Sequence, residues 1–147
     1  MHNYKKSVKL LQHILADTYL LMVKTQNYHW NVEGIHFNSL HEFFGAQYEE
    51  LNSAIDEIAE RIRMLGYKTS STLKEIQTIG KISEPNENLT DLEMLRELEG
   101  DHHHIIHELN DCINELDKIG DQGTLDLFVV RLRAHDKMHW VVKSHLK

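Results

Sequence analysis

His29 and His41 flank a chain reversal at Gly34, and Asp56 and Glu60 follow, four positions apart. On a helix that spacing points both carboxylates the same way. Imidazoles combined with paired carboxylates form the donor set of a redox-active iron site with open coordination positions. Each half also has a plainer reading. Asp56 and Glu60 would equally serve as solvated charges paired with Arg61 and Arg63. A histidine on an inward helical face is ordinarily a satisfied core residue.

These side chains need helices to hold them. Leu11, Ile14, Thr18, Met22, Thr25 and His29 recur every three or four positions, so residues 4–33 read as a first helix with His29 on its inward face. Gly34 is a natural terminator. Ser39 and Glu42 have the spacing of a capping box, which predicts a second helix from Ser39 to Leu65, stopped by Gly66. Its apolar stripe is Leu40, Phe44, Gln47, Leu51, Ile55, Ile58, Ile62 and Leu65. A flanking stripe holds His41, Gly45, Tyr48, Asn52, Asp56 and Glu60. The connection over 66–88 is long for a loop, and LKEIQTIG within it suits a short helix. Thr90 and Glu93 form a capping box that opens a third helix to about Lys118. After the turn DKIGDQGT, a fourth runs from about Thr124 to the end. The expected architecture is all-α, a single domain over 1–147: a ferritin-like four-helix bundle with a long crossover carrying a short helix.

The bundle sets a geometric problem. His41 and Asp56 lie fifteen positions apart on one predicted helix, about 22 Å at a rise of ~1.5 Å per residue. Ligands of one metal lie within roughly 2–3 Å of it. A straight helix cannot bring these two to a common ion, but two antiparallel copies can. A two-fold axis near Tyr48 to Leu51 would set His41 of one chain level with the acidic segment of the other and create two equivalent sites.

Composition agrees with this reading. The chain has 147 residues, 41% hydrophobic and 27% charged, with one proline and seven glycines, a balance that favours long helices in a soluble domain. No apolar run is long enough to span a membrane, and the N-terminal stretch lacks the features of a signal peptide. Cys112 is alone, so an internal disulfide is excluded and a cytoplasmic location is expected. The net charge of -7 opposes attraction to nucleic-acid phosphates. Lys5, Lys6 and Lys9 read as a solvated helix start.

The segments HWNVEG, LHEFF and DEIAERIRMLG, in this order and spacing, resemble the Dps family (DNA-protection-during-starvation mini-ferritins), and HDKMHW resembles that family's tryptophan-bearing end. The likeness runs along nearly the whole chain. It implies a homo-oligomer, a hollow dodecamer built from two-fold dimers. Such a shell would oxidise Fe(II), preferably with hydrogen peroxide rather than oxygen, and store ferric mineral inside. By this resemblance His29 and His41 come from one subunit and Asp56 and Glu60 from its two-fold mate, with Trp30 beside the centre. Zinc is a candidate competitor for the iron. Many members carry an acid four positions after the second histidine. Here that position is Gly45, which implies one firm metal position with a weaker neighbour. The lysine-rich tail of DNA-binding members has no counterpart, so direct DNA binding is not expected. The family lines its three-fold pores with acids near the turn into the last helix, making Asp117, Asp121 and Asp126 candidate entry residues. Asp121 also suits a turn or cap.

The run DHHHIIHEL places His103 and His107 at chelating spacing, though the run 102–107 reads more simply as a solvated face. His36 belongs to the reversal, Cys112 reads as a small buried apolar residue, and Met22, Met64 and Met94 as core filling. The leading function is therefore a ferroxidase and iron store. The alternatives are a DNA-compacting structural protein with minor iron chemistry, and a shell whose metal site is inactive.

Overall fold

The computed structural model describes residues 4–147. Five helices follow in order: α1 Lys5–Asn31, α2 Phe37–Met64, α3 Leu73–Ile79, α4 Asp91–Ile119 and α5 Gln122–His145. No strand occurs among the described residues. Cross-helix pairs fix the directions. Lys6 meets Glu115 and Lys24 meets Asp101, so α1 and α4 are antiparallel. Arg61 meets Asp121, Glu50 meets Arg131 and Phe43 meets His145, so α2 and α5 are antiparallel as well. The expected bundle is therefore present, as two helical hairpins joined by a crossover.

The predicted faces turn inward for a simple reason: apolar side chains at helical spacing leave water together. On α1, Leu11, Ile14, Thr18, Met22 and Thr25 are buried; on α2, Leu40, Phe44, Gln47, Leu51, Ile58 and Ile62 are. Met94 and Cys112 join this core, and burial pushes the Cys112 thiol up to about 12, leaving it inert. Met64 departs from expectation. It is 72% exposed, because it sits on the outer side of the last turn of α2.

The helix ends show which local signals act. Thr90 and Glu93 form their capping box, and Thr72 with Glu75 forms a second at the start of α3. Gly66 and Gly120 sit in left-handed conformations, at φ 94° and 82°. In each, the amide two residues past the last helical turn reaches back inside: Tyr67 N–H to the Ile62 carbonyl and Asp121 N–H to that of Leu116. The Ser39 capping box does not form. α2 starts at Phe37 with His36 as its cap residue, and the Ser39 hydroxyl donates to the His36 carbonyl at 3.2 Å.

The crossover is pinned to α1. Gln12 exchanges two hydrogen bonds with Ser70, Ile76 is buried, and the buried carboxylate of Asp17 accepts the amides of Lys81 at 2.5 Å and Ile82 at 3.3 Å. These contacts satisfy backbone donors that a loop lying on a bundle would otherwise leave unpaired.

Within the second hairpin, His102 and His135 are fully buried with their Nδ1 atoms 3.0 Å apart. His135 also meets Arg131, which bonds Glu50 on α2. Burial holds both imidazoles neutral, pushing His102 down to about 3 and His135 well below its ordinary range. The histidine run thus does not lie wholly on a solvated face. His102 enters the core, while His103 and His107 stay exposed.

Asp121 caps α5 by accepting the Thr124 amide, and it accepts a bond from Arg61 Nη2 at 3.1 Å. Burial raises its pKa, but the bonds from Thr124 and the Arg61 charge outweigh burial and hold the carboxyl below the usual carboxylate range. A depressed carboxylate stabilises the fold above its unfolded pKa and loses that contribution as pH falls through its folded one. Asp121→Ala should therefore lower unfolding stability by about 1–3 kcal/mol at neutral pH. The gap between variant and parent in urea midpoint should shrink below pH 4. A gap independent of pH would remove the ionised cap from this account.

Candidate metal centre

The reversal between α1 and α2 brings the two predicted imidazoles together. The rings of His29 and His41 stack with centroids 3.9 Å apart and an interplanar angle of 12°. Each ring bonds the other residue's backbone: His29 Nδ1 lies 2.6 Å from the His41 carbonyl, and His41 Nδ1 lies 2.6 Å from the His29 carbonyl. A carbonyl oxygen only accepts, so each Nδ1 carries a proton, and in the neutral ring Nε2 is the nitrogen with the lone pair. This is the tautomer that a metal-ligating imidazole needs, with its second nitrogen anchored by a backbone acceptor. Phe37 stacks on His41 at 5.0 Å and Tyr48 meets His29 edge-on at 5.3 Å, closing the pair between aromatic walls. Trp30, beside His29 in sequence, is 64% exposed in the protomer.

Gly45 has a role in this arrangement. A Cβ there would stand 3.0 Å from His29 Cε1 and 3.1 Å from its Nδ1. The ring of His29 occupies the space that any larger residue at 45 would need.

Asp56 and Glu60 lie on the same unbroken helix, both exposed. Their side chains hydrogen-bond, and this contact with the neighbouring Asp56 charge raises the pKa of Glu60. The arginines that might have neutralised them are engaged elsewhere. Arg61 binds Asp121 and Thr124, and Arg63 donates to the Tyr67 carbonyl. Among the described residues neither carboxylate has a basic ion-pair partner. At ~1.5 Å per residue, the carboxylates stand about 22 Å or more along α2 from His41. The protomer thus assembles an imidazole pair and a carboxylate pair and keeps them apart.

Of the acids near the last turn, Asp117 and Asp126 are exposed. Asp121 is buried and committed to its cap and to Arg61, so its cap reading describes it better than a pore lining. A different group was not read from the sequence. Asp17, His104 and Glu108 place one ligand-type atom each within 4.8 Å of one another. The signals were present: an acid among the inward residues of α1, and His104 and Glu108 four apart in the histidine run.

Comparison with known proteins fits this geometry. A ferritin-like domain model matches residues 8–147. The DNA protection during starvation protein of Helicobacter pylori is 30% identical over 142 residues, 96% of this chain and 99% of the relative. The chain belongs to the Dps family. The crystal structure of Dps from Staphylococcus aureus superposes with a TM-score of 0.96 at 31% identity, covering 100% of this chain and 99% of that one. A Vibrio cholerae Dps, described as a member of a broad superfamily of ferritin-like diiron-carboxylate proteins, gives 0.93 at 27% identity, covering 97% and 90%.

Alanine at 45 gains about 1 kcal/mol of helix propensity over glycine but overpacks the His29 ring by roughly 1–3 kcal/mol. Gly45→Ala should therefore change stability little while disturbing the imidazoles. In nitrogen-15 spectra the Nδ1–H signal of His29 should shift or exchange with solvent. An imidazole spectrum identical to the parent's would show that the ring does not depend on the glycine.

Proposed function

We propose that this protein is a ferroxidase and iron-storage mini-ferritin that works at a centre shared between two subunits. The observation that carries the reading is the matched pair of half-sites at opposite ends of α2. His41 with His29 of α1, each Nδ1 committed to a backbone carbonyl, stands at one end, and two carboxylates without basic partners stand at the other. Antiparallel packing of α2 on its copy about a two-fold near Tyr48 to Leu51 would bring each half to its complement. Small or polar Gly45 and Asn52 on that flank favour close approach.

In this reading Fe(II) is the substrate. Nε2 of His29 and His41 bind it, while Asp56 and Glu60 of the mate supply negative charge that favours Fe(III) over Fe(II). Ionisation of Glu60 is held back in the lone protomer by Asp56, and an arriving cation would relieve that repulsion. Hydrogen peroxide would take one electron from each of a pair of Fe(II) ions and, with two protons from solvent, leave as two water molecules, releasing no hydroxyl radical. Trp30 is placed beside the centre. Because Gly45 supplies no acidic side chain, the second iron would be held more weakly, through water. Zinc would compete for the same donors. The closed shell is the family's dodecamer, with ferric mineral inside and Asp117 and Asp126 facing the entry pores. DNA is then protected by removal of iron and peroxide, and the net charge of -7 opposes direct contact with it.

His41→Ala and Asp56→Ala should each slow peroxide-driven Fe(II) oxidation by roughly 100-fold or more, with assembly mass by light scattering unchanged. Unaltered kinetics in both would refute the assignment. Co-assembly of the two variants tests the sharing directly. In a mixed dimer one site carries both substitutions and the other carries neither, so random mixing should restore about a quarter of the parent's activity. No recovery in verified mixed assemblies would place the ligands within single subunits.

A further inference from the structure

The interface between α1 and α4 contains two groups of partly or fully buried acid, and only one of them has a lysine of its own. Toward one end, the fully buried Lys24 ammonium lies 2.8 Å from Asp101 Oδ2 and 3.8 Å from Glu97 Oε1. Here the chain supplies its own cation. Two helical turns away, Asp17 is 1% exposed and faces Glu108 and His104. No lysine or arginine forms an ion pair with Asp17 or Glu108 among the described residues.

The geometry of this second group suits an ion. His104 Nε2 lies 3.2 Å from Glu108 Oε2 and 3.6 Å from Asp17 Oδ2. Donors about 2.0 Å from a tetrahedral metal stand roughly 3.3 Å from one another, so both separations are close to ligand–ligand edges. His104 Nε2 and Glu108 Oε2 are closed off from solvent and make no hydrogen bond, despite their closeness. Asp17 is also held from behind. Its Oδ1 accepts the Lys81 and Ile82 amides, which leaves Oδ2 to face the cluster. Backbone bonds to the far oxygen of a carboxylate are the outer-shell support that metal ligands use. The His104 side chain is 41% exposed although its Nε2 is closed off, so the cluster lies just beneath the surface.

We propose that Asp17, His104 and Glu108 form a second divalent-metal site, lying within one subunit between α1 and α4. One imidazole with two carboxylates and an open position suits a borderline first-row cation such as zinc, cobalt or ferrous iron. The ligands come from one chain, so the site is independent of the shared centre. It would clamp α1 and the crossover to α4.

The test uses assembled protein carrying His41→Ala and Asp56→Ala, in which the shared centre is disabled, with Co(II) as the probe. Titration should produce visible d–d absorption of a low-symmetry cobalt site, saturating at one ion per subunit. Zn(II) should displace it. Adding His104→Ala or Glu108→Gln should weaken Co(II) binding by about 100-fold or more. Both leave the Asp17 bonds to the crossover in place, and circular dichroism checks the fold. An anomalous peak at the zinc edge between the three side chains should appear in crystals grown with Zn(II). No cobalt spectrum in the disabled background, or one unaffected by both added substitutions, would overturn the proposal. Failure here would leave the shared centre untouched, since that reading is tested by iron oxidation in the parent.

Discussion

Two reciprocal hydrogen bonds, from each of His29 and His41 to the other's carbonyl, tie the end of α1 to the first turn of α2. The same bonds decide which ring nitrogen is protonated. Backbone geometry and metal-binding capacity are thus set by one interaction. The stacked rings, the aromatic walls of Phe37 and Tyr48, and the missing side chain at Gly45 all accommodate it. Gly45 looked in the sequence like the loss of an acidic ligand. In the structure it is the space that lets His29 lie flat against α2.

The second constraint is the straightness of α2, 28 residues without a break. A helix of that length spans about 42 Å, and its i→i−4 bonds prevent it from folding back on itself. The separation of imidazoles and carboxylates is therefore a fixed property of the protomer. With Arg61 drawn away to cap α5 through Asp121 and Thr124, the acidic half keeps its charge exposed. The packing of one hairpin on the other thus shapes the electrostatics of exposed carboxylates on α2 that lie outside the contact.

Much of this was legible in the residues. Periodicity located all four long helices, and Thr90 with Glu93, and Gly66, marked real ends, because caps and left-handed glycines act through neighbours in sequence. The Ser39 box misled because α2 has already opened at Phe37, so Ser39 lies inside the helix, where the Glu42 amide is committed to a helical carbonyl. Met64 fits the composition of a core yet sits outside, on the face of the last turn of α2 opposite the buried Ile62. The histidine run defeated a one-face reading. Adjacent residues on a helix point about 100° apart, so His102 enters the core, His103 faces out and His104 meets α1. Pairs that exist only between elements, such as Asp17 with Glu108 or His102 with His135, leave no local signature.

The buried pair of His102 and His135 makes acid an adversary of this bundle. Both rings are neutral inside, with His102 near 3 and His135 also depressed, whereas an unfolded histidine takes up a proton near pH 6.5. A lowered folded pKa means that the unfolded chain binds the extra proton. Below about 6.5, each further unit of pH then erodes stability by up to ~1.4 kcal/mol per histidine, until the folded value is reached. A bundle braced in this way would loosen in mildly acidic surroundings.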